Sequence, residues 1–127
     1  MTANSNSGPG YQKHPDYRVD ILPLKDTVRF FVGSKAIAET QKALIIEETG
    51  IAPVYYIPLS DLISGYFLKN SHETYCPFKG VARYWDICID GNIIGQAAWG
   101  YDKPYDEVAI LSDYVAFYRD KVSIVVD

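Results

Sequence analysis

Cys76 and Lys79 stand three residues apart in the stretch Thr-Tyr-Cys-Pro-Phe-Lys-Gly at positions 74–80, and both side chains can do chemistry. Pro77 restricts the preceding cysteine to extended geometry, and a nearby ammonium group favours the thiolate, which is the nucleophilic form of cysteine. Lys79 is also suited to bind an anionic group, because Gly80 beside it lets a ligand approach the backbone closely. The structural alternatives are a small buried hydrophobe for the cysteine and a solvated lysine at the start of a strand.

Two acids, Glu48 and Asp61, bracket the run Pro-Val-Tyr-Tyr-Ile-Pro at positions 53–58. If they converge with Lys79, the two acids could supply acid-base function, and both are candidate ligand-binding residues. Thr74 adds a hydroxyl group beside the cysteine. The alternatives are ordinary turn and helix-capping roles for the two acids.

Aromatic residues are abundant, and eleven of the 127 residues are tyrosine. Tyrosine combines apolar area with a hydroxyl group, so an excess is typical of half-buried strands or of a binding surface. The aromatic residues that we consider as walls of a ligand pocket are Tyr55, Tyr84, Trp99 and Tyr101. Core packing is the alternative for each of them.

Composition excludes several classes of protein. The formal net charge is −4 and there is no basic run, so a nucleic-acid partner is not expected. No apolar run approaches the ~18 residues of a membrane-spanning helix, and we expect a cytoplasmic protein. Cys76 and Cys88 form no CxxC pair, so we expect two free thiols, no metal site and no cofactor.

The chain is expected to fold as one domain behind a flexible tail. Residues 1–16 are rich in Ser, Asn, Gly and Pro, which predicts the tail, and residues 17–127 predict a mostly-β domain. Predicted strands cover residues 17–22, 27–32, 35–39, 43–47, 53–57, 81–89, 92–101 and 122–126. Residues 60–67 are predicted to form a short helix, and residues 114–118 either a short helix or a bent strand.

The strongest local signal is Asp90-Gly91, which predicts a two-residue hairpin turn with both residues at positive φ. The expected pairs on one face are Gly80 with Tyr101, Ala82 with Trp99, Tyr84 with Ala97 and Cys88 with Ile93. Small residues would then oppose large ones. Both faces of this hairpin are largely apolar, so we expect it inside the sheet rather than at an edge.

Several sequence blocks resemble the DUF427 family of domains of unknown function, also labelled NTP_transf_9 or nucleotidyltransferase-like. The resemblance covers residues 17–127, and its most specific blocks are positions 53–58 and the Cys-Pro-Phe-Lys-Gly at positions 76–80. It implies a compact single β domain of the β-tent (Mss4-like) type, with short helical turns. Relatives of that fold carry paired CxxC zinc knuckles, which this chain lacks, so no structural zinc is carried over.

The transferase label implies two metal ions held by carboxylates that commonly stand two residues apart on one strand. No Asp or Glu pair has that spacing in this chain. Acids from separate strands could still converge.

Three function classes stay open. The first, which we favour, is a domain that binds a small polar or planar molecule in a concave pocket. The second is an enzyme, either a nucleotidyltransferase-like one or a thiol enzyme that uses Cys76, with Lys79 and Glu48 as the other catalytic candidates. The third is a protein-interaction module without catalysis. A homodimer is compatible with any of them, because an exposed edge strand can pair with a second copy.

Overall fold

The computed structural model describes residues 6–127, and most of these residues lie in ten β-strands. The strands are β1 Val19–Leu24, β2 Val28–Val32, β3 Lys35–Thr40, β4 Ala43–Glu48, β5 Ile51–Pro58, β6 Phe67–Cys76, β7 Gly80–Ile89, β8 Asn92–Tyr101, β9 Tyr114–Phe117 and β10 Ser123–Val126. One helical turn, α1 Gly10–Lys13, precedes the strands, and 3₁₀ segments lie at Leu59–Asp61 and Asp106–Leu111. The mostly-β prediction is confirmed.

The strands form two antiparallel sheets. The large sheet has seven strands in the order β1-β4-β5-β9-β8-β7-β6, and the small sheet has the order β10-β2-β3. The β7–β8 hairpin lies between β6 and β9, so its predicted interior position is confirmed. Within residues 6–127, no helix has the length and apolar character needed to cross a membrane.

Side chains of the large sheet contribute to two buried cores. The first core joins the two sheets, and Phe30 of β2 meets Phe117 of β9 there at a centroid distance of 5.0 Å. The second core lies on the other face of the large sheet, where the Asp106–Leu111 segment covers it. Neighbours on a strand point to opposite faces, and accordingly Ile57 belongs to the first core and Tyr56 to the second. Both faces are therefore covered.

The predicted hairpin turn at Asp90-Gly91 is confirmed. Asp90 and Gly91 have φ values of 51° and 79°, as the two central residues of this turn require. The pairing of Val32 with Lys35 likewise places Gly33-Ser34 in a two-residue turn. Of the ambiguous residues 114–118, Tyr114–Phe117 form a strand, β9.

The predicted register of the β7–β8 hairpin is correct only near its turn. Cys88 pairs with Ile93 as expected, but a bulge beyond Trp85 shifts the far half by two residues. The pairs there are Ala82 with Tyr101, Tyr84 with Trp99, and Trp85 with Ala98, so the predictions of Gly80 with Tyr101, Ala82 with Trp99 and Tyr84 with Ala97 were wrong.

Asp86 holds this bulge. Its Oδ1 accepts hydrogen bonds from the Gln96 amide at 2.8 Å and from Asn70 Nδ2 at 2.8 Å. These hydrogen bonds, from the Gln96 amide first, lower the pKa of Asp86. Gln96 has a φ of 51°, which accommodates the extra residues. Because the shift is two residues, Ala82, Tyr84, Trp99 and Tyr101 still share one face, whereas Ala97, predicted on that face, belongs to the first core.

The helix predicted over residues 60–67 was wrong. Only Leu59–Asp61 is helical, and the chain becomes extended at Leu62, whose ψ is 140°. An isolated bridge between Leu62 and Ala38 ties this segment to the small sheet, and this pairing prevents a longer helix. Strand β6, which begins at Phe67, was missed because its residues are mostly polar and exposed.

Residues 1–5 of the predicted tail lie outside the described residues. The remainder lies against the domain: Gly10 of α1 is buried, and its amide donates to the Pro77 carbonyl at 3.0 Å. The flexibility assigned to residues 1–16 stays a prediction.

Candidate functional site

An ion pair between Lys79 and Glu48 lies at the centre of the candidate site. Lys79 Nζ donates to Glu48 Oε1, and the two side chains are only 6% and 7% exposed. Charged side chains are rarely so buried, because removing them from water is costly. A buried ion pair is therefore weak evidence for stabilisation, and it marks these two residues as candidates for function.

The turn between β6 and β7 positions Lys79. The Lys79 amide donates to the Cys76 carbonyl at 3.3 Å, and the Lys79 carbonyl accepts from the Tyr105 amide at 3.0 Å. Gly80 follows with a φ of 117°, and a Cβ there would lie 3.3 Å from the Lys103 carbonyl oxygen. Glycine is thus required for the backbone path that turns the lysine inwards.

Glu48 ends strand β4, where the pairing with β5 is irregular. Ile46 pairs with Val54, but Glu48 pairs with Ile51, so β5 carries one more residue than β4 between these two pairs. Such bulges bend a strand and redirect its side chains. On β4 itself the alternation is regular: Leu44 and Ile46 belong to the second core, so Glu48 lies on the same face although it stands beside a surface turn.

Two aromatic side chains cover the ion pair from the N-terminal side. The Tyr17 hydroxyl donates to Glu48 Oε2, and its ring stacks on Phe78 with a centroid distance of 3.8 Å and an angle of 14°. Burial first, and then the hydrogen bond to Glu48, raises the pKa of Tyr17. Tyr11 meets Phe78 edge to face at 5.1 Å, and burial raises the pKa of Tyr11 to about 12.

Further tyrosines line the inner side. Trp99 Nε1 donates to the Tyr56 hydroxyl at 3.1 Å, and Tyr56 is only 2% exposed. Burial raises the pKa of Tyr56 and of Tyr101, and the charge of Glu48 adds to the rise in both. We call Glu48, Lys79, Tyr17, Tyr56 and Tyr101 the inner polar cluster. Its chemistry is that of a carboxylate, an ammonium group and three neutral phenols in a low-dielectric environment.

Most of the predicted site residues lie on or beside this face of the large sheet. Cys76 and Trp99 are partly buried against the second core, and Tyr84 belongs to it. Thr74 Oγ1 and the Tyr84 hydroxyl lie 2.8 Å apart. The residues that the structure brings to this face are Glu48, Thr74, Cys76, Lys79, Tyr84, Trp99 and Tyr101.

Tyr55 and Asp61 lie elsewhere. Tyr55 packs against the first core, with the Arg119 guanidinium 5.4 Å from its ring centroid. Asp61 accepts a hydrogen bond at 2.6 Å from Thr40, which is itself only 2% exposed. Asp61 therefore accepts the hydrogen bond of a buried hydroxyl group at the end of β3, away from Lys79.

Open cavities flank the cluster rather than enter it. One of about 400 Å³ is lined by His14, Asp16, Tyr17, Thr49 and Phe78. A second of about 370 Å³ is lined by residues of α1 together with Tyr75 and Pro77, and a third of about 360 Å³ adjoins Gly80, Arg83 and Tyr105. The ion pair is thus closed off in this structure, and the first cavity reaches its aromatic cover.

Both cysteines are free thiols. Across residues 6–127, no three His, Cys, Asp or Glu side chains are grouped so as to hold a metal ion.

Sequence reasoning missed Tyr17, Phe78 and Tyr56 as parts of the site. Tyr17 was treated as the first residue of a strand, and Phe78 was given no role beyond its place in the Cys-Pro-Phe-Lys-Gly block. The available signal was the excess of tyrosine, which does not say which tyrosines share one carboxylate.

The fold and the site together define the class of this protein: it is a β domain with a closed polar cluster beneath the β6–β7 turn. The chain belongs to the DUF427 family of domains of unknown function, which is also named NTP_transf_9. The family model matches residues 20–127. No curated protein matches the chain.

Proposed function

We propose that this domain binds a small polar or planar molecule at the inner polar cluster. The observation that carries the proposal is the Lys79–Glu48 pair, whose side chains are 6% and 7% exposed. A pair buried to this degree gains little net stability, because desolvation offsets the attraction between the charges. Ligand pockets, in contrast, combine apolar and aromatic walls with a few polar groups that fix orientation, and this is the composition of the cluster.

The binding proposal is better supported than thiol catalysis at Cys76. Lys79, the cation expected to activate the thiol, is bound to Glu48 instead. Cys76 would then be a wall of the binding site rather than a nucleophile.

We also propose the β-tent (Mss4-like) type for the fold and a cytoplasmic location. Two antiparallel sheets that share the first core support the former. Two free thiols support the latter, because reducing compartments keep cysteines unpaired.

The test is a thermal-shift screen of a metabolite library against the wild-type chain and a Glu48→Gln/Lys79→Met double variant. A ligand present at about 100 times its Kd stabilises the folded state by about 2.7 kcal/mol, which is readily measured. We expect ligands that shift the wild type and leave the double variant unshifted. Lys35→Met is the matched control, because Lys35 forms an exposed pair with Asp90 at 3.6 Å. Ligands that stabilise the double variant as much as the wild type would place binding elsewhere and overturn the proposal.

A further inference from the structure

The segment that covers the inner polar cluster lies outside the matched domain. The family match begins at residue 20, whereas Tyr17 supplies the ring and the hydroxyl group that close off Glu48. The cover therefore comes from a part of the chain that precedes the matched domain.

This segment is fitted closely to the surface beneath it. A Cβ at Gly10 would lie 2.7 Å from the Phe78 ring, and one at Gly8 would lie 2.9 Å from the Pro77 carbonyl oxygen. Glu107 holds the beginning of the segment, because its carboxylate accepts from the Ser7 hydroxyl and from the Gly8 amide. Only glycine allows so close an approach at these two positions.

Tyr17 has room to leave its place. Its side chain is half-buried, and the 400 Å³ cavity that it lines opens beside both its own ring and that of Phe78. The ring could rotate into this space while the two sheets keep their packing. A second ring could then stack on Phe78 in its place.

The surroundings of this position determine which chemical groups such a ring must carry. Glu48 Oε1 is occupied by Lys79, and Oε2 accepts from the Tyr17 hydroxyl. A replacement must therefore donate a hydrogen bond to Oε2, since a buried acceptor left without a partner is costly. A carboxylate or phosphate at this point would be repelled by Glu48. A flat ring is required to reproduce the stacking on Phe78.

We propose that Tyr17 occupies the aromatic subsite of the binding site from within the chain, and that the natural ligand carries a planar ring with an O–H or N–H donor that displaces it. Phenols and amino-substituted heterocycles have this chemistry. The inference rests on the proposed function, because it names the ligand class for the same cluster.

The test uses p-cresol, which reproduces the tyrosine side chain, and toluene, which lacks the donor. Both are titrated by NMR into the full-length wild-type chain and into Tyr17→Phe and Tyr17→Ala variants. In the wild type, p-cresol is expected to give saturable shifts at residues 14–18 and at Phe78, whereas toluene is not. Tyr17→Phe keeps the stacked ring but leaves Glu48 Oε2 free, so p-cresol is expected to bind it about fivefold more tightly, in keeping with one hydrogen bond.

Tyr17→Ala removes the competing ring, and p-cresol is expected to bind this variant at least about tenfold more tightly than the wild type, or about 1.4 kcal/mol. Adding Glu48→Gln to Tyr17→Ala should reverse part of that gain, because a neutral amide oxygen is a weaker acceptor than a carboxylate. Absence of p-cresol binding to the wild type, or equal binding of toluene and p-cresol to the Tyr17 variants, would overturn the inference. These outcomes are separate from the screen above. Ligands that require the ion pair but leave Tyr17 in place would sustain the proposed function and refute only the displacement.

Discussion

Removing Lys79 alone should destabilise the protein far more than removing the whole ion pair. Lys79→Met leaves a Glu48 side chain that is only 7% exposed, and within residues 6–127 the Tyr17 hydroxyl is then its one remaining side-chain hydrogen-bond partner. Breaking a buried pair in this way costs about 3–5 kcal/mol, because the remaining charge keeps its desolvation penalty. The Glu48→Gln/Lys79→Met double variant has no buried charge and nearly the same volume. Its stability should equal or exceed that of the wild type, by up to about 4 kcal/mol.

The assay is urea unfolding of the wild type, the two single variants and the double variant, followed by the fluorescence of Trp85 and Trp99. The linear extrapolation gives four free energies of unfolding and therefore a complete double-mutant cycle. Lys35→Met is again the control, because its partner Asp90 is largely exposed. Surface pairs of this kind contribute about 0–1 kcal/mol, so the control should lose no more than that.

A loss for Lys79→Met no larger than that for Lys35→Met would refute the reasoning. It would mean that water reaches the pair in solution and that the site is open. A double variant as unstable as Lys79→Met would refute it differently, because the pair itself would then stabilise the fold and would need no functional explanation.

Two further predictions concern the framework of the site. Gly100→Ala should lower the free energy of unfolding by at least about 1–3 kcal/mol, because the added Cβ would lie 2.5 Å from the Tyr114 carbonyl oxygen. Gly95→Ala is the control, because a Cβ there would lie 4.0 Å from the nearest atom, a carboxylate oxygen of Asp86. It should be nearly neutral in the same urea assay. Stability should also fall as the pH rises above 10, since the tyrosines of the inner polar cluster have raised pKa values in the folded state and ordinary values near 10 when unfolded. That stabilisation is fully present below pH 10. Urea unfolding at about pH 9 and at about pH 11 would contradict the prediction if the free energy of unfolding were the same at both pH values.

The sequence was sufficient for the local features of the fold. Alternating β-branched and aromatic residues between turn signals predicted most strands, and Asp90-Gly91 fixed the start of the central hairpin. The register of its far half depended on a side chain from another strand. Asn70 of β6 donates a hydrogen bond to Asp86 and so helps to hold the bulge. No pattern within the hairpin sequence predicts that hydrogen bond.

The convergence of Glu48 with Lys79 required knowledge of the whole sheet. In the large sheet, β4 and β7 are separated by β5, β9 and β8, a distance of about 19 Å if the sheet were flat, at about 4.8 Å between strands. A glutamate and a lysine side chain together cannot reach so far, yet the two form an ion pair. The sheet must therefore curl around the second core, so that the end of β4 meets the turn between β6 and β7. Curvature of this kind accumulates from strand twist and from bulges such as the one between β4 and β5, which sequence periodicity does not reveal. The same curl brings Phe78 to Tyr17, so the ion pair and its aromatic cover arise from one feature of the fold.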